Sequence, residues 1–180
     1  MKGDKGRSLP NNAIERTAPR LRERLIGLPG TSNLRLRLHG AAAHRKRFGS
    51  AMTVNQLIRE AEAILPGTPA AEGDEDPRWQ AIIAIGEHVE SHPEEVWQFV
   101  ARWGASTQED LRDAVATCLL EHLLEHHFDS IFPRVQELVK TDRMFGETFI
   151  RSWKFGQAEL PENATRFDEL RVWCKSRRGA

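Results

Sequence analysis

From residue 52 onward, apolar residues recur at helical spacing, and the breaks between runs predict a succession of helices. Thr53 to Leu65 is the first. Leu57, Ile58, Ala61, Ile64 and Leu65 form its stripe, Thr53 or Asn55 can cap it, and Pro66-Gly67 ends it. Residues 66–77 read as a flexible acidic loop. Arg78 to Ser91 predicts a second helix, with Trp79, Ile82, Ile83, Gly86 and Val89 on one face. Ser91-x-x-Glu94 with Pro93 reads as a capping box for a third, which points Val96, Trp97, Val100 and Trp103 inward and stops at Gly104. Further along, Asp129 and Pro133 open a helix running to about Lys140, carrying Ile131, Phe132, Val135, Leu138 and Val139. Asp142 caps the next, Arg143 to Lys154, with Phe145, Phe149, Ile150 and Trp153. Gly156 and Pro161 break the chain before a short last helix, Thr165 to Lys175, with Phe167, Leu170 and Trp173.

The longest uninterrupted pattern lies between these groups, from Ser106 to His127. Ser106 and Glu109 form a capping box that predicts a start near Thr107. Leu119, Leu120, Leu123 and Leu124 make a wide apolar face with Ala116, and Leu111, Val115 and Cys118 make a second strip. Asp113, Thr117, Glu121 and Glu125, spaced by four, are its one polar ridge. A helix apolar on most of its circumference is buried between neighbours. The expectation is an all-α domain over residues 52–175, about six helices stacked as antiparallel hairpins around this central one. Arg78, Glu87, His88 and His92 recur thirty-four residues later as Arg112, Glu121, His122 and His126. That spacing points to a HEAT-like fragment of an α-solenoid.

Composition adds a division of the chain. The formal net charge is zero, yet residues 1–50 carry twelve Lys/Arg against three Asp/Glu, and residues 51–180 carry fourteen against twenty-three. Residues 1–51 are also dense in Gly and Pro, with one strand-like alternation over residues 33–39. They read as a disordered basic leader, and in a functional reading as a nucleic-acid-binding arm. Residues 176–180 read as a frayed basic tail. The mean hydropathy of −0.53 and the lack of a long apolar run exclude a membrane-spanning helix. Cys118 and Cys174 form no C-x-x-C pair, which excludes a cysteine zinc site and fits the cytoplasm.

Candidate chemistry is concentrated at the end of the central helix. His122-Leu123-Leu124-Glu125-His126 matches H-x-x-E-H, in which two histidines at i, i+4 share a helix face and can share a zinc ion with the glutamate as base. His88 and His92 form a second i, i+4 pair that the recurrence places on an adjacent helix. The candidate metal residues are therefore His122 and His126, with His88, His92 and Glu125 as additional donors. The alternative role of these histidines is to cap helix C-termini, where the dipole favours them. The chain contains no P-loop, no GxGxxG and no GxSxG, so no catalytic or cofactor-binding residues are assigned. Trp79, Trp97, Trp103 and Trp153 fall on apolar faces and read as core. Residues 53–130 hold four Arg against sixteen Asp/Glu, which points to a surface complementary to a basic protein.

Two resemblances bear on this reading. Pro10-Asn11-Asn12-Ala13-Ile14-Glu15-Arg16-Thr17-Ala18-Pro19 resembles the peptide encoded when the recombination site flanking a bacterial integron cassette is read as protein. Met52-Thr53-Val54-Asn55 then looks like the natural start. Pro93-Glu94-Glu95-Val96-Trp97, Leu120-Glu121-His122-Leu123-Leu124-Glu125-His126-His127, and the later Phe145 and Trp153 resemble the P-E-x-x-W, L-E-x-L-L-x-x-H and F…W features of a family of small all-helical bacterial proteins with no assigned activity. That resemblance covers about residues 78–154 and implies an all-helical fold. His122 departs from the family pattern. Some relatives resemble immunity proteins of toxin systems. The sequence thus yields a non-catalytic, immunity-like protein-binding reading with no cofactor. Its alternatives are a zinc-binding or metal-dependent hydrolytic protein built on H-x-x-E-H, and nucleic-acid binding through the leader, which its reading as a disordered segment disfavours.

Overall fold

A computed structural model describes residues 52–71 and 74–177 of the chain. The basic leader, residues 1–51, lies outside the described residues. With it go the strand-like stretch, the cassette-like peptide and the nucleic-acid reading. Residues 178–180 of the tail lie outside as well.

The described residues form helices and no strand, as the apolar spacing predicts. The order is α1 Val54–Ile64, α2 Pro77–Gly86, α3 Pro93–Trp103, α4 Glu109–Val115, a π-helical segment Ala116–Leu120, α5 Glu121–Thr141, α6 Arg143–Arg151, a 3-10 turn Gly156–Glu159 and α7 Pro161–Ser176. The α4 helix, the π segment and α5 run on as one rod. This rod is central: its π segment touches α2, α3 and α6, while α5 packs on α3, α6 and the 3-10 turn. The α1 helix lies on α2 and α3, and α7 closes over α6, α5 and the 3-10 turn. Leu111, Val115, Leu119, Leu120, Leu123 and Leu124 are all fully buried, so the expected central helix is in place. A second centre of the core is aromatic. Phe128 stacks on Phe132 at 4.5 Å, Phe149 meets Phe167 at 4.7 Å, and Phe132 touches both members of that second pair at 6.4 Å.

Where the ends of helices differ from expectation, a specific contact accounts for it. Thr53 caps α1 as predicted: its hydroxyl accepts from the Gln56 N–H, and Gln56 Oε1 accepts from the Thr53 N–H. The α2 helix ends at Gly86 instead of reaching Ser91. A Cβ at Gly86 would stand 3.0 Å from the Cys118 carbonyl oxygen, so α2 lies close against the rod there. His92 precedes Pro93 and adopts φ −137°, ψ 53°, because the proline ring disfavours helical backbone before it. Ser91 consequently bonds the His92 ring at 2.8 Å, and α3 has no side-chain cap. The Ser106 capping box is likewise absent. Ser106 Oγ accepts from the Gln108 N–H at 3.1 Å, and α4 starts at Glu109. Helices expected to be separate around residue 128 are continuous but kinked at His127, with φ −135°, ψ 39°. Pro133 is inside α5 on an exposed face, where water can satisfy the carbonyl it leaves unpaired. Pro161 starts α7 instead of breaking the chain, since proline is preorganised for the first helical position. Trp153 is not core. The α6 helix ends at Arg151, Ser152 is extended, and Trp153 is 52 % exposed.

The start of α4 is displaced by Arg78, which is 1 % exposed. Its guanidinium faces Asp76 with two nitrogens: Nε lies 3.2 Å from Oδ1 and Nη2 lies 2.8 Å from Oδ2. Nη1 donates to the Gly67 carbonyl at 3.2 Å and to Gln108 Oε1 at 2.7 Å, and Nη2 also reaches Asp110. Asp76 in turn caps α2 through the Arg78 N–H at 2.9 Å. Burial pushes the Asp76 carboxyl up, but its bonds to Arg78 outweigh this and hold it below its ordinary 3.8. The Asp76 bond raises the Arg78 guanidinium further.

Removing one partner of a buried pair strands the other charge, so Arg78→Met should cost about 3–5 kcal/mol in urea unfolding. Arg102→Met, which deletes an exposed contact to Glu62, should cost less than about 1 kcal/mol. Because the folded Asp76 value is depressed, its contribution is fully present above pH 3.8 and disappears as pH falls through the lower folded value. Wild-type stability should therefore drop on the acid side of pH 3.8 by more than that of Arg78→Met, as read from urea midpoints against pH.

Candidate functional site

The H-x-x-E-H stretch lies on the first turns of α5, directly after the π segment. A π turn holds more residues than an α turn and changes the rotation of everything after it. The ridge Asp113, Thr117, Glu121, Glu125 therefore does not stay on the solvent side. Glu121 is 5 % exposed, and its Oε2 accepts the Trp153 N–H at 3.1 Å. Glu125 is turned inward as well, with its side chain 11 % exposed.

Glu125 is the middle of a short chain of donors. His122 Nδ1 lies 2.8 Å from Glu125 Oε2, and His126 Nε2 lies 3.8 Å from the same oxygen. On its other side His126 Nε2 is 3.6 Å from Glu90 Oε1, which comes from the turn between α2 and α3. Burial lowers the His122 imidazole, but the Glu125 bond and the charges of Glu121 and Glu125 raise it above its ordinary 6.5. The His122 bond holds the Glu125 carboxyl below its ordinary value despite its burial. Each group thus favours the charged form of the other.

The backbone around the site is fixed from the segment 152–160. The Phe155 ring stacks on His122 with an interplanar angle of 14°. Gly156 has φ +48°, and a Cβ there would lie 2.8 Å from Glu125 Cγ. Gln157 spans the kink: its Nε2 donates to the His126 carbonyl at 2.7 Å, and its Oε1 accepts the Phe128 N–H at 2.9 Å. The two backbone groups on either side of His127 thereby regain partners.

Of the candidate metal residues, the structure brings His122, Glu125 and His126 together. His88 and His92 pair with each other edge to face at 5.6 Å, on the turn and helix cap before α3 and not on a helix beside α5. Glu90 was not singled out by spacing. The signal for it is slight, an acid midway between two histidines in His88-Val89-Glu90-Ser91-His92. Among the described residues no three His, Cys, Asp or Glu side chains are arranged as they stand to hold a metal ion. Cys118, expected in the core, is chemically quiet: burial pushes its thiol up to about 12. No helix among the described residues is long and apolar enough to cross a membrane.

Comparison of the chain with family models, with curated proteins and with solved structures gives no significant match.

The position of Glu125 depends on the glycine behind it. Gly156→Ala forces an L side chain into left-handed backbone and drives Cβ into Glu125, so it should cost at least about 1–2 kcal/mol by chemical denaturation. Gly146→Ala in α6 is the control. Its Cβ would meet only Cys174 Sγ at 3.8 Å, and helix propensity should make it neutral or stabilising by up to about 1 kcal/mol.

Proposed function

We propose that this chain is a non-catalytic, cytoplasmic protein-binding protein whose acidic helical surface docks a basic partner protein, in the manner of an immunity protein neutralising a toxin. The resemblance of residues 78–154 to a family some of whose relatives resemble immunity proteins fits such a role.

The observation that carries the reading is the fate of the arginines. Residues 53–130 contain only four. Arg78 and Arg112 are buried, at 1 % and 6 % exposure. Arg102 is engaged by Glu62. Arg59 alone of the four remains as an exposed cation outside an ion pair among the described residues. Over the same residues Glu60, Asp74, Glu75 and Asp129 are exposed and Glu95 is half-buried, and none of them is ion-paired among the described residues. Among the described residues, α1 and the loop before α2 therefore present a net negative surface, Glu60, Asp74 and Glu75 against Arg59. Such a field attracts a basic partner and accelerates its association.

The test is binding to basic proteins encoded by neighbouring genes, measured by calorimetry and stopped flow. Binding should weaken as salt rises and persist in chelator. Glu60→Lys combined with Glu75→Lys should slow association about tenfold or more. Affinity that ignores both salt and these substitutions would rule the acidic surface out.

A further inference from the structure

We propose that the cleft between the end of α5, the first turns of α6 and the end of α7 binds a small monocarboxylate with an apolar body. These three helices pack on one another and leave a space of about 330 Å³ there. Small-molecule sites span roughly 300–1,000 Å³, so the cleft takes a ligand at the small end of that range. Its floor is Gly146 of α6 and Cys174 of α7, both buried. A Cβ on Gly146 would come to 3.8 Å from Cys174 Sγ, and the glycine leaves that room unfilled. Val139 and the Trp173 ring line the sides and offer an apolar wall. Trp173 is 37 % exposed, and covering its ring adds to binding.

The polar end is Arg177. Its guanidinium lies over the Trp173 ring at 4.8 Å, and its Nη1 donates to the Lys140 carbonyl at 3.1 Å. Restraint through the face of the guanidinium leaves its in-plane N–H groups to bond. Lys140 takes one of them, and no carboxylate among the described residues pairs with the rest. A planar fork held in this way matches a carboxylate. Charge sets the valence of the ligand. Arg143 and Arg177 line the cleft with two positive charges and Glu147 with one negative, an excess of one positive charge. Arg151 lies 3.6 Å from Glu147 but is shared with Glu109 and Asp113, so the Glu147 charge stays in force. That balance suits a monoanion and opposes a phosphate dianion. None of these residues belongs to α1 or to the loop before α2, so the cleft is separate from the acidic surface.

The experiment is a ¹H–¹⁵N NMR titration of the full chain with benzoate, indole-3-acetate and hexanoate, each compared with its uncharged amide. At least one acid should shift the Gly146 amide and the Trp173 indole N–H together and saturably. Its amide should bind about tenfold more weakly or worse, because a charge-assisted pair is lost. Arg177→Gln, at an exposed position at the end of α7, should weaken the acid by about the same factor without lowering the melting temperature. Arg102→Gln should bind like wild type. No saturable shift with any of the three acids would overturn the proposal. So would amides that bind as tightly as the acids, an Arg177→Gln variant that binds like wild type, or inorganic phosphate that binds more tightly than all three. Each of these results is independent of salt-sensitive binding to a basic protein.

Discussion

The fold depends on one buried cation. Arg78 is the first residue after the proline that opens α2, and its guanidinium is enclosed by groups from three separate stretches. These are the turn after α1 through the Gly67 carbonyl, the cap of α2 through Asp76, and the start of α4 through Gln108 and Asp110. Desolvating an arginine is costly, and only a nearly complete set of acceptors makes it tolerable. Each acceptor therefore constrains the backbone that carries it. The α4 helix begins at Glu109 because Gln108 and Asp110 are held at Arg78, and the loop before α2 folds back because Gly67 is held there too. Planar bidentate pairing with Asp76 fixes the orientation of the guanidinium, which a lysine could not reproduce.

The rod that Arg78 positions is neither straight nor uniform, and both irregularities shape the candidate site. The π segment rotates the residues after it, turning Glu121 and Glu125 inward. The kink at His127 then interrupts the backbone ladder, and Gln157 restores the partners of His126 and Phe128. The segment 152–160 is consequently more than a connection between α6 and α7. It presents Phe155 to His122, Gly156 to Glu125 and Gln157 to the kink, while Arg171 takes the Ser152 carbonyl from the far side.

How much of this was legible in the sequence follows from the range of the interactions involved. Periodicity is a local signal, and it located α1, α3, the buried face of the central rod and the Asp142 cap of α6. Capping boxes are also read locally, but a tertiary contact can override them. Ser91 bonded its neighbour His92, and Ser106 lost the start of α4 to Arg78. The polar ridge failed for a subtler reason: it assumed 100° per residue through Ala116–Leu120, and no residue type there announces a π turn. Arg78 looked like any helix-opening charge because its acceptors lie up to thirty-two residues away. Trp153 shared a helical register with Phe149 and Ile150 only until α6 ended at Arg151. At the site, His122, Glu125 and His126 were legible from their spacing. Glu90 and Gly156 were not, since only the folded chain brings the turn and the 3-10 segment to them.

The same burial links architecture to surface chemistry. Over residues 53–130, Arg78 and Arg112 are two of the four arginines, and both are held inside the protein. Arg78 offsets Asp76 and Asp110, and Arg112 donates to the Ser106 carbonyl at 2.7 Å. Glu60 of α1 and Asp74 and Glu75 of the loop before α2 are then left outside any ion pair among the described residues, while Glu62 meets Arg102. Farther along the chain the balance differs: Arg134 answers Glu94, and Arg151 answers Glu109 and Asp113. Arginines from farther along the chain thus neutralise acids of α3 and α4. The two arginines that serve as internal struts are thereby withdrawn from the surface, and the acidic character of α1 and the loop before α2 follows in part from how this core is held together.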